Sequence, residues 1–250
     1  MLKGFYNLAS GVLTHQRNLN VVANNMTNVS TPGYKQDRYT ATTFGQVMYS
    51  RVGNQDSEGT EIGELSYIRT TSDIDTDFTQ GVLEPTGISL DFAINGNGFF
   101  AVEDAEGAVG YTRGGSFSLD GEGYLYLAGG GRVLDPNGEP IQLESDRLYA
   151  DGRGVLYHEE GTVLGQIGLF TFEDEGALER NDMGLFTGEG AQADNGAGVI
   201  LSGYLERSNT DLIKQMTEMV TYQRSLQSAT QIMKMYDSVM SKATNEVGRL

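Results

Sequence analysis

Two histidines, His15 and His158, are the only imidazoles in this chain of 250 residues. They are the first places to look for acid–base or metal chemistry. His158 precedes Glu159-Glu160, but no second histidine stands at helical spacing, so the zinc-helix pattern is missing. His15 falls inside an apolar stripe and reads as a packed or register-setting polar residue. Gly96-x-Gly98-x-x-Ala101 fits the loose dinucleotide fingerprint, which needs a helix to open at that point. Here Phe99-Phe100-Ala101-Val102 reads as a strand, and Glu103-Asp104 would repel phosphate. Asp135-Pro136-Asn137-Gly138-Glu139 has the flavour of a calcium loop without the ligand spacing and closing glutamate of an EF-hand, and it reads as a turn. Asn25-Met26-Thr27 and Asn28-Val29-Ser30 match the glycosylation sequon, a short pattern that recurs by chance. The carboxylates could supply a glycosidase pair, but no two are singled out, and a solvated β-surface accounts for them. The reading therefore assigns no catalytic, cofactor-binding or metal-ligating residue.

The composition narrows the classes further. There is no cysteine, which excludes a disulfide framework, a thiol nucleophile and a Cys-based metal site. Asp and Glu number 34 against 17 Lys and Arg, net −17, so nucleic acid and anionic membrane surfaces are poor partners for the whole chain. The charge is uneven. Residues 1–38 carry Lys3, Arg17, Lys35 and Arg38 against Asp37 alone, and residues 206–250 are net +1. Residues 39–205 hold seven basic and 28 acidic groups, net −21, with no lysine. No stretch reaches the roughly 20 apolar residues of a membrane span, so no membrane insertion is expected. Phe5 to Gly11 is too broken and polar for the apolar core of a secretory leader.

The elements that must position these residues fall into three kinds. Phe5, Leu8, Val12, His15, Leu19, Val22, Met26 and Val29 recur at alternating steps of three and four. That is the narrow seam of a coiled coil over one N-terminal helix, about 37 Å long. Asn24, Asn25 and Asn28, then Thr31-Pro32-Gly33-Tyr34, end it: asparagines suit a helix terminus, and Pro32-Gly33 fits the centre of a type II turn. Near the other end, Leu212, Met216, Met219, Gln223, Leu226, Thr230, Met233, Asp237 and Met240 repeat the spacing, with Ser208 or Asn209 as N-cap and Asp211 in the first turn. Five of the nine methionines lie in this second helix.

Between the helices the chain reads as β. Phe92-Ala93-Ile94 and Phe99-Phe100-Ala101-Val102 flank Asn95-Gly96-Asn97-Gly98, a hairpin-type turn. Further short runs at Phe117, Tyr124–Leu127, Arg132–Leu134, Val155–Tyr157 and Leu169–Phe172 are separated by Asp-Gly, Asn-Gly and Gly-rich turns. The expected fold is α+β. Residues 1–32 and 203–250 form a helical coiled-coil inner domain, 33–74 an extended connector and 75–202 an acidic, all-β outer domain. Helices at opposite ends with matching heptads are expected to pair with each other and with neighbouring copies.

Four blocks carry a family resemblance. "ANNMTNVSTPGYK" (23–35) resembles the N-terminal signature of the bacterial flagellar rod and hook proteins, approximately A-N-N-[IL]-A-N-x-x-T-x-G-[FY]-K. "QGVLEPTGISLDFAINGNGFFAV" (80–102), "YTRGGSFSLDGEGYL" (111–125) and "GYLERSNTDLI" (203–213) follow in the family's order. Met26-Thr27 departs from the usual aliphatic-Ala pair, and residues 126–200 match poorly. The opening "MLKGFYNLASG" with "TPGYKQD" looks more like the proximal-rod relative than the distal-rod one, and the length speaks against hook protein.

The resemblance implies a structural subunit of the flagellar basal-body rod, the axial shaft that carries torque from motor to hook. It implies export by the flagellar type III apparatus without a cleaved leader. It also implies partners that are copies of this chain in a helical homo-polymer and other axial rod and hook proteins. The assembly seam would be Phe5, Leu8, Val12, Leu19, Val22, Met26 and Val29 with Leu212, Met216, Met219, Leu226, Met233 and Met240. A trimeric secreted fibre or adhesin would share the pairing of heptads with acidic β-structure. A distal-rod or hook-type axial protein would differ only in its position.

Overall fold

The fold is taken from a computed structural model that describes residues 2–44, 47–51, 60–65, 68–143, 145, 147–158, 160–181, 183–194 and 196–247. The chain is α+β: helix α1 (Leu2–Thr27), a long run of short strands, and helix α2 (Leu212–Val247). It divides into two compact units. One comprises Met1–Thr27, Asp37–Thr76 and Asp211–Leu250; the other comprises Asn28–Gln36 and Asp77–Thr210.

In the helical unit, α1 and α2 lie side by side and antiparallel. Asn25 meets Gln215, the His15 and Tyr222 rings stand 6.1 Å apart, and a Cβ on Gly4 would come 3.5 Å from the Tyr236 hydroxyl. The apolar spacing of α1 explains its inward face: Val22 is buried, and Phe5, Leu8, Val12, His15, Leu19 and Met26 are half-buried. The helix stops at Thr27, two residues short of the stripe's last member, Val29. Asn28 has left the helix, and its carbonyl accepts from the Thr31 amide.

The α2 cap also differs from expectation. The Asp211 carboxylate accepts from the Ile213 and Lys214 amides, so Asp211 is the N-cap. Residues Tyr204–Glu206 form a strand against Leu83–Pro85, which places them before the helix. The span read as an extended connector holds strands Gln36–Phe44, paired with Ile68–Asp77, and Val47–Arg51, paired with Thr60–Leu65. Residues 45–46, 52–59 and 66–67 of that span, and 248–250 of the C-terminal one, lie outside the described residues.

The β unit is built on strand Phe99–Glu103. One edge pairs with Val109–Thr112, and the other pairs with Gly131–Val133 and Leu169–Thr171, all antiparallel. Its side chains alternate as the pleat requires. Phe100 and Val102 enter a core with Phe92, Ile94, Leu125, Leu156, Ile167 and Leu169. Phe99 enters a separate aromatic cluster with Phe186, Phe78 and Phe172.

The expected hairpin across 95–98 does not form. Strand Phe92–Gly96 pairs with Gly198–Ser202, from over a hundred residues later. Both apolar runs are buried throughout, and each pairs with other partners: Phe92–Gly96 in a two-stranded sheet with Gly198–Ser202, and Phe99–Glu103 inside the large sheet.

Candidate functional site

The signature turn is where chemistry and geometry meet. Pro32 and Gly33 occupy the centre of a type II turn: the Tyr34 amide donates to the Thr31 carbonyl at 3.3 Å, and Gly33 has φ +70°. The turn presses into the β unit so closely that a Cβ on Gly33 would stand 2.2 Å from the Arg113 carbonyl carbon. The Gly33 amide donates to the Glu206 carbonyl at 2.7 Å.

Two residues on, Lys35 is 1% exposed and pairs with Glu206, 0% exposed, at 2.7 Å. The Lys35 ammonium also donates to the Thr79 carbonyl at 2.8 Å. The same Glu206 oxygen accepts the Gly81 amide at 2.8 Å, while its second oxygen faces Arg113 Nη1 at 3.6 Å. Arg113, 4% exposed, lies over the Phe99 ring and donates to the Gly96 carbonyl at 2.9 Å. Arg180 stacks on Tyr34 and donates to the Lys35 carbonyl at 2.8 Å. Asn209 completes the frame. Its carbonyl oxygen accepts the Gln36 amide, and its amide group donates to the Asp77 and Thr79 carbonyls.

Burial lowers the Lys35 pKa, and the attraction of Glu206 offsets this only in part. Arg113 is shifted down for the same reason and is likewise opposed by Glu206. Removing Glu206 would leave Lys35 and Arg113 buried without their shared counter-charge, a loss of about 3–5 kcal/mol. The cluster ties together segments from opposite ends of the sequence.

The remaining signature residues divide. Asn25 is buried and grips the backbone of Asp37, accepting its amide at 3.0 Å and donating to its carbonyl at 2.8 Å. It therefore braces a neighbouring strand in the helical unit. Asn28 accepts from the Thr31 hydroxyl at 3.3 Å, so both sequon asparagines are engaged in the fold. Asn24 and Thr31 are exposed, while Pro32 and Tyr34 are half-buried.

On α2, the face laid on α1 runs Gln215, Met219, Tyr222, Leu226, Ala229, Met233, Tyr236 and Met240. Met219, Leu226, Met233 and Met240 are the expected residues. Leu212 and Met216 instead stand 41% and 52% exposed, beside Ile213 at 78%. Tyr222 and Tyr236, two heptads apart around Ala229, mark the side packed on α1 within the chain.

The other candidate chemistries resolve into turns. His158 accepts the Glu160 amide through Nδ1, and Glu159 lies outside the described residues. At Gly96–Ala101 a strand opens at Phe99, where a nucleotide site would need a helix. Among the described residues, no group of three acidic or histidine side chains is placed to hold a metal.

Asp135 belongs to a repeat that inspection of the sequence passed over. Asp104, Asp120, Asp135 and Asp151 stand 15 or 16 residues apart, each followed by Gly at the third position. In each, the aspartate oxygen accepts amides two and four residues on, and the glycine has φ between +81° and +85°. Asn181 does the same ahead of Gly184.

Residues 5–35 match the family described as Flagella basal body rod protein. Residues 93–164 match the Flagellar hook protein FlgE/F/G D1 domain, and 201–246 match the Flagellar basal body rod FlgEFG protein C-terminal family. The chain is 32% identical to the flagellar basal-body rod protein FlgG of Bacillus subtilis, with 98% of this chain and 99% of that one covered. It is 30% identical to FlgG of Agrobacterium fabrum, over 93% and 95% of the two chains. It is 28% identical to the rod protein FlgF of Rhizobium meliloti, over 99% of each.

The class is that of structural proteins of the bacterial flagellum. Within it, the chain belongs to the flagellar basal-body rod protein family.

Proposed function

We propose that this chain is a structural subunit of the flagellar basal-body rod, acting by assembly and not by catalysis. The observation that carries the proposal is full-length similarity to rod proteins, with the family's blocks meeting at one buried joint.

In this reading, α1 and α2 form a coiled-coil inner domain that packs with neighbouring copies and with other axial rod and hook proteins. Head-to-tail contacts of this kind are heterologous and propagate a helix. The exposed Leu212, Ile213 and Met216 are available for such contacts, and each apolar side chain buried there contributes roughly 1.5–3 kcal/mol gross. Export through the flagellar type III apparatus delivers the chain unfolded, so helix formation is coupled to incorporation. The likeness of the opening segment to the proximal-rod relative supports a position nearer the proximal end of the rod. No described helix is long and apolar enough to cross a membrane.

Gold labelling of the chain in isolated basal bodies, read by electron microscopy, tests this. Label on the rod is expected, with its height giving the axial position. Label on the hook, or none on the basal body, would overturn the proposal.

A further inference from the structure

We propose that Glu206 is the interlock for the strap formed by residues 28–36, which fastens to the β unit only after Glu206 is in place.

The strap contributes no strand of its own up to Gln36. It is held through Gly33, Lys35 and Gln36, whose partners are Glu206, Thr79, Arg180 and Asn209. The Lys35–Glu206 contact spans 171 residues, and the Gln36–Asn209 contact spans 173.

Charge makes the dependence one-sided. Around Glu206 stand two buried cations, Lys35 and Arg113, which repel each other. Lys35, Arg113 and Glu206 together are net +1 and both cations share the one carboxylate, while Asp77 adds a smaller attraction to Lys35 and Glu175 one to Arg113. With Glu206 absent or neutral, two like charges remain in a site closed to water, and the cheapest relief is to expel the one whose backbone lies outside a β-ladder. Lys35 is that one, because it sits on the strap, whereas Arg113 extends from the end of a β-ladder and is anchored to Gly96.

Removing Lys35 has the opposite result. It leaves Glu206 with Arg113 and the Gly81 amide, a neutral and hydrogen-bonded remainder. A chain that appears N-terminus first therefore keeps its signature turn undocked until its C-terminal third has arrived.

Hydrogen exchange of the full-length chain, read by mass spectrometry on peptides covering 28–36 and 92–103, tests the interlock. In Glu206→Gln, protection of 28–36 is expected to fall about 100- to 1,000-fold while 92–103 stays protected. In Lys35→Met, protection of 28–36 is expected to stay within about tenfold of the parent chain, because no charge is stranded. Combining the two substitutions should restore most of what Glu206→Gln loses. Equal losses in the two single variants, or an unaffected strap in Glu206→Gln, would overturn the proposal. Should Glu206→Gln unfold the β unit outright, the double variant decides: recovery of protection supports the interlock, and no recovery refutes it.

Discussion

A methyl group at position 33 would collide with the Arg113 carbonyl carbon and the Gly114 nitrogen, both at 2.2 Å, on a backbone already at φ +70°. Rigid main chain cannot step aside as a side-chain tip would, and the left-handed conformation adds its own penalty. Gly33→Ala is therefore expected to destabilise the chain by at least about 2 kcal/mol. A lower midpoint in urea denaturation checks this, and an unshifted midpoint would mean that the turn does not press on the Arg113–Gly114 backbone. At this scale the sequence was half legible. Pro32-Gly33 announced the turn through its own residue types. The role of Lys35, two residues on, could not be read, because its meaning depends on a carboxylate 171 residues away. Nothing local distinguishes a lysine destined for burial from one on the surface.

The recurring Asp-x-x-Gly turn is the most regular element of the β unit. At Asp120 the carboxylate accepts from the Tyr124 and Glu122 amides, and Arg132 lies at 3.2 Å. The Tyr124 amide first, then the Glu122 amide and Arg132, hold this carboxyl below the ordinary aspartate range. Its folded pKa is depressed, so the stability it contributes is present above the unfolded-state pKa, about 3.9. That stability is lost as pH falls through the folded value. Asp120→Asn keeps the turn, as Asn181 shows in its own loop, but carries no charge to titrate. The expected outcome is a smaller loss of urea midpoint between pH 5 and pH 3, a window of roughly a unit either side of that pKa, than in the parent chain. Equal acid sensitivity would remove the carboxylate from the account.

Within the single chain, the half-buried side of α1 follows the three-four spacing. On α2 amphipathic Tyr222 and Tyr236 share the packed side with Met219, Leu226, Met233 and Met240, while Leu212 and Met216 stand exposed. A tyrosine buries its ring while its hydroxyl stays wet, so a purely apolar count undervalues it.

For the molecule as a whole, the layout of helix, β-rich centre and helix was written in the hydrophobic periods and the turn residues. The pairing of strands was not. Phe92–Gly96 finds its partner at Gly198–Ser202 through tertiary packing that no window of sequence contains. The same division of labour sets the test of assembly. Leu19→Asp with Val22→Asp puts two carboxylates on the packed face of α1, where Val22 is buried. Rod assembly and motility are expected to be lost in cells carrying this variant. The purified chain should keep exchange protection in its 92–103 strands, which belong to the other unit. Normal swimming would remove α1 from any assembly role, and collapse of the β strands would make the defect one of folding.

The enclosure of the Lys35–Glu206 pair has a consequence for the medium in which the protein works. Dissolved ions screen exposed charges over a length of about 8 Å at physiological ionic strength, a length that shortens as salt rises, and they screen buried pairs far less. Arg207–Glu84 and Arg132–Glu122, each partner more than a third exposed, are open to that screening. The pair that fastens the signature turn is sealed from it. A bacterium moving from fresh water to brine would loosen the outer ion pairs of this subunit and leave its central fastening untouched.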